Sequence, residues 1–561
     1  MKLERQELQN PIRVNHRGFL RNSQKRFILT ENKTESMDFR VVLIDNVKWI
    51  TVFEGKMIPV IEDGHTYYIG DFTNITQDGD YQIEAGGFTS RQFVIYDGAY
   101  DICKRVLLEY YKYQRCGHPL GWNGSCHLDD GFIKETGERV DLSGGYHQSC
   151  DLRKSPGGLS IGIYAMLKCA IREKSEWSKI LLKDEAEWAC DYLYKTIQEN
   201  GAMYNTLNAP FGWGAREFYK SPAPSSAQWN TTSALALGAL YLKDKNEEKS
   251  KKYLEKAILS WNYMMSDARP SDTYRHPEKY PMGMDPDFFY DQCRKNSSAD
   301  FAYQITCSSE LYRATGDEKY LCVIENITPK LLSYVAGGEM SHELVRDDDK
   351  TRLVTGSCSY CWQMGNLFAL CDAYELLGAR FGLKEIIEKA LASSAVLIDK
   401  SIWKCVRHPY SDGDLDIVDG HEGKTRRQGM RTLEAVSQYD GIICYSQSEQ
   451  HLEPGYSTHI AIFMARCARL LGKSEHLKYS QFVVDTVLGV NALDSSHIHA
   501  IGYNHAPHDA FGQFFPSTPF IPGAVGVDYS SIDTTKGAFS EFDMPCVGMT
   551  MYLISELEGE R

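Results

Sequence analysis

The chain lacks the features that mark membrane, nucleic-acid-binding and disulfide-framework proteins. A membrane-spanning helix needs about 20 consecutive apolar residues, and no run of that length occurs. Positive charge is in deficit: 61 Lys and Arg against 75 Asp and Glu leave a net charge of −14. Phosphate binding needs a basic face, so nucleic acid is not an expected partner. The opening stretch Met1–Pro11 has no apolar core and does not read as a secretory signal. The 16 cysteines follow no regular spacing. Cys169, Cys190, Cys322 and Cys467 lie in apolar, helix-like tracts, where buried free thiols are expected. Free thiols and the absent signal together predict a reducing, cytoplasmic location. There is also no fixed-period repeat, which weighs against a solenoid. Nothing in the chain sets an oligomeric state.

What is present reads as a soluble globular protein in two blocks. Hydrophobic content is 43% and charged content 24%, an ordinary globular profile. Residues 1–98 carry seven short β-rich runs: Ile12–Leu20, Arg26–Thr30, Phe39–Asp45, Lys48–Phe53, Tyr67–Ile69, Tyr81–Ala85 and Arg91–Tyr96. Turn signals such as Asp78-Gly79-Asp80 and Gly86-Gly87 separate them, as in an all-β sandwich. From residue 99 to 561 the apolar period becomes helical. About twelve tracts, from Ile102–Tyr113 to Pro545–Glu556, can each bury an apolar stripe. Trp177, Trp188 and Trp261 sit on such stripes and are expected in the core.

The most informative stretch is Asp141–Lys154, reading Asp-Leu-Ser-Gly-Gly-Tyr-His-Gln-Ser-Cys-Asp-Leu-Arg-Lys. Gly144 and Gly145 permit a tight turn that presents the polar groups after it. The stretch resembles the Asp-x-Ser-Gly-Gly-Trp-x-Asp-Ala-Gly-Asp signature of family 9 glycoside hydrolases, the inverting cellulase family. It departs at one point: Gln148 replaces the first Asp of the Asp-Ala-Gly-Asp core, and Asp151 keeps the second. Further matching words are Cys126-His-Leu-Asp-Asp130, Asp300-Phe-Ala-Tyr-Gln304, Trp362-x-x-Gly-Asn-Leu367 and Ser540-Glu-Phe-Asp-Met-Pro-Cys-Val-Gly548. The words Ile12-Arg-Val-Asn15, Gly70-Asp71-Phe72 and Gly79-Asp80-Tyr81 resemble the immunoglobulin-like domain that precedes many family 9 catalytic domains. The resemblance therefore implies an immunoglobulin-like β-sandwich over 1–98 that buttresses an (α/α)6 barrel over 99–561.

Inversion needs two carboxyl groups about 6.5–9.5 Å apart, one protonating the leaving oxygen and one activating water. By resemblance Asp151 is the base and Glu541 the acid, although the family pattern around the acid is softened here to Glu541-Phe-Asp543. Either carboxylate also suits a helix N-terminus on local grounds. Gln148 can hydrogen-bond a water but cannot take its proton, so the chain reads as a retuned hydrolase or as a glycan-binding protein that no longer cleaves. Expected sugar contacts are Tyr146, His147, Gln148, Trp362, Tyr503, His505 and His508, with Trp122, Trp213 and Trp229 as further stacking platforms.

Cys116, His118, Cys126 and His127 make a thiolate and imidazole set suited to a structural Zn2+. The alternative is two reduced thiols beside two cleft histidines. Calcium has possible sites at Asp285–Asp291 and Asp347–Asp349, and the lone Cys358–Cys361 pair carries no redox context. The family's His-His-Arg has no full counterpart in His497–Phe515. That departure favours exo-action on short β-linked, gluco-configured oligosaccharides, amino-substituted sugars included, over cutting within cellulose chains. A lyase or phosphorylase is a rival without a basic cluster to support it.

Overall fold

The computed structural model describes residues 9–62, 64–149, 152, 154, 156–206, 217–270, 295–296, 298–336, 365–399, 401–404, 437–439, 442–444, 454–492, 494–505, 521–525 and 542–559. Asp151, Glu541, Trp213, Trp362, His508, Cys358–Cys361 and the two Asp-rich segments lie outside these residues.

The N-terminal block is an immunoglobulin-like pair of sheets. Strands β1 (Ile12–Arg13), β3 (Arg26–Leu29), β7 (His65–Asp71) and β6 (Ile58–Glu62) form one, in that spatial order. Strands β2 (Gly18–Phe19), β10 (Phe93–Ile95), β8 (Gly79–Ala85), β4 (Asp38–Asp45) and β5 (Lys48–Lys56) form the other, with β9 (Phe88–Thr89) on β8. Alternation explains the core: Tyr81, Ile83 and Ala85 of β8 point inward while their neighbours face out. They meet Phe19, Phe27, Phe39, Phe72 and Phe93 from both sheets. The Phe27 ring lies against β7 only because residue 70 is glycine; a Cβ there would fall 2.1 Å from the ring. Strand β6 has no β-rich alternation in the sequence. It carries Pro59 and exposes Ile58 and Ile61, as an edge strand with proline does.

Each of the twelve helical tracts contains a helix. They are α1 (Asp101–Gln114), α2 (Pro156–Ala170), α3 (Glu176–Thr196), α4 (Ser225–Leu242), α5 (Glu247–Met265), α6 (Ser298–Thr315), α7 (Glu318–Ala336), α8 (Gly365–Leu377), α9 (Leu383–Asp399), α10 (Pro454–Leu471), α11 (Leu477–Val487) and α12 (Met544–Leu557). Helix α2 packs on α4, α4 on α6, α6 on α8, α8 on α10, α10 on α12, and α12 returns to α2. Helices α4 and α12 are buried on nearly every side, which is why they read as apolar all round and not as amphipathic. Odd-numbered helices lie against this path, α3 and α5 on α4 and α7 on α6.

Three expectations fail here. Trp177 is 61% exposed, because it stands on the side of α3 away from the Leu182–Ala186–Ala189–Leu193 stripe. Trp229 is no platform: it is buried in α4 and its indole donates to Asp300 at 2.9 Å. Cys322 is exposed, whereas Cys169, Cys190 and Cys467 are buried free thiols. No described helix is long and apolar enough to cross a membrane.

The two blocks meet over a mixed junction. Ile28 of β3 packs on Ile402, Trp403 and Val490. Beside them Asp485 of α11 is buried, and its Oδ1 accepts from Asn15 at 2.8 Å and Gln481 at 2.7 Å. Burial pushes this carboxyl from 3.8 up to about 7, against the opposing pull of the Asn15 and Gln481 hydrogen bonds and of Arg26 and Lys25. The fold thus binds this proton more tightly than the unfolded chain does. The linked stability is complete below pH 4 and is lost as pH rises to 7. Three pH units at 1.36 kcal/mol each set an upper scale of about 4 kcal/mol. Asp485→Asn should therefore raise the unfolding temperature at pH 8, and the gain should shrink at pH 5. A gain equal at both pH values would contradict this account.

Candidate active site

The signature turn forms as its glycines demand. Gly144 and Gly145 have φ of 87° and 69°, and a Cβ on Gly145 would fall 2.6 Å from the Tyr192 ring. The Gly145 carbonyl accepts from Cys116 N at 2.9 Å and from the Trp188 indole at 3.0 Å. His147 N donates to Gln114 O at 2.8 Å, and Arg115 and Tyr146 form an antiparallel bridge. The chain after α1 is therefore zipped to the signature.

That zipper builds a four-residue cluster. Cys116, Cys126, His127 and His147 bring one ligand atom each within 4.8 Å of one another. Cys116 Sγ and Cys126 Sγ are 3.9 Å apart, and Cys126 Sγ lies 3.4 Å from His147 Nε2. A disulfide needs about 2.05 Å, whereas tetrahedral zinc bonds of about 2.3 and 2.05 Å place S and S about 3.8 Å apart and S and N about 3.5 Å apart. The donor set fits zinc. The Cys116 thiol is held well below its ordinary range, first by its hydrogen bond with Cys126, against burial, with Lys154, His127 and His147 assisting.

The cluster corrects the expected ligand set. His118 stands outside it: Leu120 N donates to its Nδ1 at 3.1 Å, and its ring meets Trp188 edge-on at 5.4 Å. His147 takes the fourth place and is fully buried, with Nδ1 3.1 Å from the Asn123 amide. It is thus no exposed sugar contact. Tyr146 is also buried, and its hydroxyl donates to Glu185 Oε1 at 2.8 Å. Tyr503 contacts the N-terminal block: its hydroxyl donates to Gln92 O at 2.8 Å and Arg91 lies over its ring. Trp122 is half-buried, donating to Gln114 Oε1 at 2.7 Å. Gln148 is buried beside Gly158 at the start of α2, where a Cβ would fall 2.3 Å from its amide carbon.

Backbone pairing joins segments far apart in sequence. Ser149 bridges Asp543, and Met544 N donates to Gln148 O at 3.1 Å. Asp543 N donates to Val525 O, and Val525 bridges Ile498. Ser496 in turn bridges both Leu488 and His505. His505 lies 5.4 Å from the ring of His499, and burial lowers its pKa. One strip of loop backbone thus runs from the signature, past Phe542–Met544, to the histidine segment.

Two supporting groups had no assigned role in the sequence. Lys154 is fully buried and donates to Asp130 Oδ2 at 2.6 Å and to Leu142 O at 3.2 Å. This ties the segment after Ser149 to the end of the cysteine loop. Leu152 holds φ of 63°, a left-handed geometry that a leucine rarely adopts. The Lys and Asp were visible inside the matching words, but only the fold pairs them.

A model of glycosyl hydrolase family 9 matches residues 100–515. The chain belongs to that family. The cellulase N-terminal ig-like domain matches residues 7–90 of this family 9 protein. The family match covers Gln148 and Asp151 and ends before Glu541. A cellodextrinase from Butyrivibrio fibrisolvens is 26% identical over 356 residues, 57% of this chain and 61% of that protein. A single mutant of a thermostable endoglucanase from Alicyclobacillus acidocaldarius shares the fold with a TM-score of 0.69 at 16% identity, over 98% of this chain and 100% of that one. A zinc-binding triple mutant of another family 9 endoglucanase aligns with a TM-score of 0.64 at 16% identity, over 97% of this chain and 100% of that one.

Proposed function

We propose that this family 9 protein is an inverting glycoside hydrolase that releases sugar from the ends of short β-linked, gluco-configured oligosaccharides. The observation that carries the reading is the Ser149–Asp543 bridge. Asp151 and Glu541 each lie two residues from a bridge partner. Asp151 acts as base and Glu541 as acid, with water held between them at the separation inversion requires. Gln148 stands where the usual signature has a carboxylate and contributes a hydrogen bond to that water without taking its proton.

The scaffold reading is an (α/α)6 barrel over 99–561, with α2, α4, α6, α8, α10 and α12 as its inner ring, behind a sandwich over 1–98. The closed packing path supports it. Cys116, Cys126, His127 and His147 would hold a structural zinc that pins the cysteine loop beside the signature. Its chemistry is to lock thiolates and imidazoles in place, not to activate water. The buried free thiols support a reducing compartment. The similarity to a cellodextrinase supports short β-glucans as substrate.

Product analysis tests the reaction. Cellotriose and cellotetraose should shorten from one end, and early NMR spectra should show newly released reducing ends enriched in the α-anomer over the mutarotation equilibrium. Random internal cuts, or an initial excess of the β-anomer in the released ends, would overturn the reading. A parallel panel of β-linked glucosamine oligomers decides between plain and amino-substituted sugars. Gln148→Asp should keep the fold and hold or raise turnover. Loss of turnover would give Gln148 an active role of its own. Binding of cellotriose without turnover, unchanged by Glu541→Gln, would favour a glycan-binding protein, the reading to which the Gln148 replacement otherwise points.

A further inference from the structure

His16 belongs to the N-terminal block, yet its ring is buried in the loops of the helical block. It sits between two glycines. A Cβ on Gly489 would fall 2.4 Å from the ring, and one on Gly502 2.8 Å from Nδ1. Both glycines have positive φ, 114° and 91°, so the backbone curls around the imidazole on both sides. The polar atoms of the ring are engaged as well. Nε2 lies 2.9 Å from Asp494 Oδ1, and Tyr503 N donates to Nδ1 at 3.4 Å. Because Nδ1 accepts, Nε2 carries the ring hydrogen and donates it to Asp494. His16 N donates to Leu488 O at 2.7 Å. Asp494 also accepts from Asn10 N at 2.7 Å, with Arg91 Nε at 3.5 Å and an Arg13 nitrogen at 3.8 Å.

These contacts clamp both ends of one loop. Leu488, Gly489 and Asp494 form its start; Gly502 and Tyr503 form its end. Between them Ser496 pairs with Leu488 and His505, and Ile498 pairs with Val525, whose carbonyl holds Asp543 N. Asp543 then bridges Ser149. A shift of the loop is therefore passed along backbone hydrogen bonds to the Ser149–Asp543 junction.

We propose that His16 is a positioning residue: the N-terminal domain inserts this imidazole to set the register of residues 494–505, and through them the placement of His505 and the Ser149–Asp543 junction. The inference rests on the hydrolase reading for its catalytic consequence, but not for its structural one. His16 touches no sugar and acts only through the loop.

The test uses the full chain with His16→Ala and His16→Gln. Hydrogen exchange, read by mass spectrometry, follows residues 494–505, and steady-state kinetics on cellotriose separate KM from kcat. His16→Ala should speed exchange in that segment by about tenfold or more, the loss of one or two buried hydrogen bonds. It should raise KM more than it lowers kcat, since the loop carries His505, the sugar contact that the family resemblance implies. His16→Gln should restore much of both effects, because its amide N–H can reach Asp494 while its carbonyl accepts from Tyr503. Unchanged exchange and unchanged KM in His16→Ala, with only a lower unfolding temperature, would reduce His16 to packing and overturn the proposal. If His16→Ala does not fold, His16→Gln decides: wild-type exchange and KM support the proposal, and a loosened loop with unaltered KM overturns it. Should the wild-type chain leave cellotriose intact, the hydrolase reading fails, while the exchange data still decide whether His16 orders the loop.

Discussion

Asp151→Asn and Glu541→Gln should each lower kcat on cellotriose by roughly 10²–10⁴-fold, the usual weight of a positioned acid or base, with folding unchanged. The Ser149–Asp543 bridge holds two remote segments side by side, and each carboxylate lies two residues along its own segment. A water held between them needs both: one to take its proton, one to protonate the departing oxygen. The two variants should differ in how the substrate rescues them. A sugar with a good leaving group needs little acid assistance, so it should restore Glu541→Gln much more than Asp151→Asn. Asp543→Asn is the control for the acid, since Asp543 is buried on the bridge itself. A loss confined to Asp543→Asn, with Glu541→Gln active, would move the acid to Asp543. Full activity in Asp151→Asn would end the proposed mechanism.

Removing the metal site should have the next largest effect. Purified protein should contain one zinc per chain, and Cys126→Ala should lose it. The freed loop, residues 116–130, should then be cut by protease where the parent chain resists, because short irregular segments depend on the metal for their order. Activity should fall with the zinc. The path is structural: the loop ends at Asp130, whose carboxylate holds buried Lys154 in the segment after Ser149. Breaking a buried pair of this kind costs about 3–5 kcal/mol. His118→Ala should keep its zinc and His147→Ala should lose it. Zinc retained by His147→Ala, or absent from the parent chain, would reject this ligand set.

The helices and most strands were legible because their causes are local. Period-2 alternation in Tyr81–Ala85 and apolar stripes in the helical tracts need only neighbouring residues. The strand Ile58–Glu62 was hidden because an exposed edge with proline has no alternation to display. Trp177 and Trp229 were exchanged between core and surface for a related reason: which side of a helix is inside depends on what packs there.

The site divides along the same line. The chain alone determined the signature turn, since glycine is what its positive φ values require, and it pointed to Cys116, Cys126 and His127, with His118, as a possible donor set ahead of that turn. Tertiary structure put His147, expected as a sugar contact, into the four-residue cluster in place of His118. Pairing of Gln114–Cys116 with Gly145–His147 carries one imidazole onto Cys126, while the other turns toward Trp188. It also drew Tyr503 to the domain junction and brought His16 between two glycines hundreds of residues away. Backbone conformation is written in adjacent residues, but a ligand set or a buried contact is a fact of distance through space, which only the packed chain fixes.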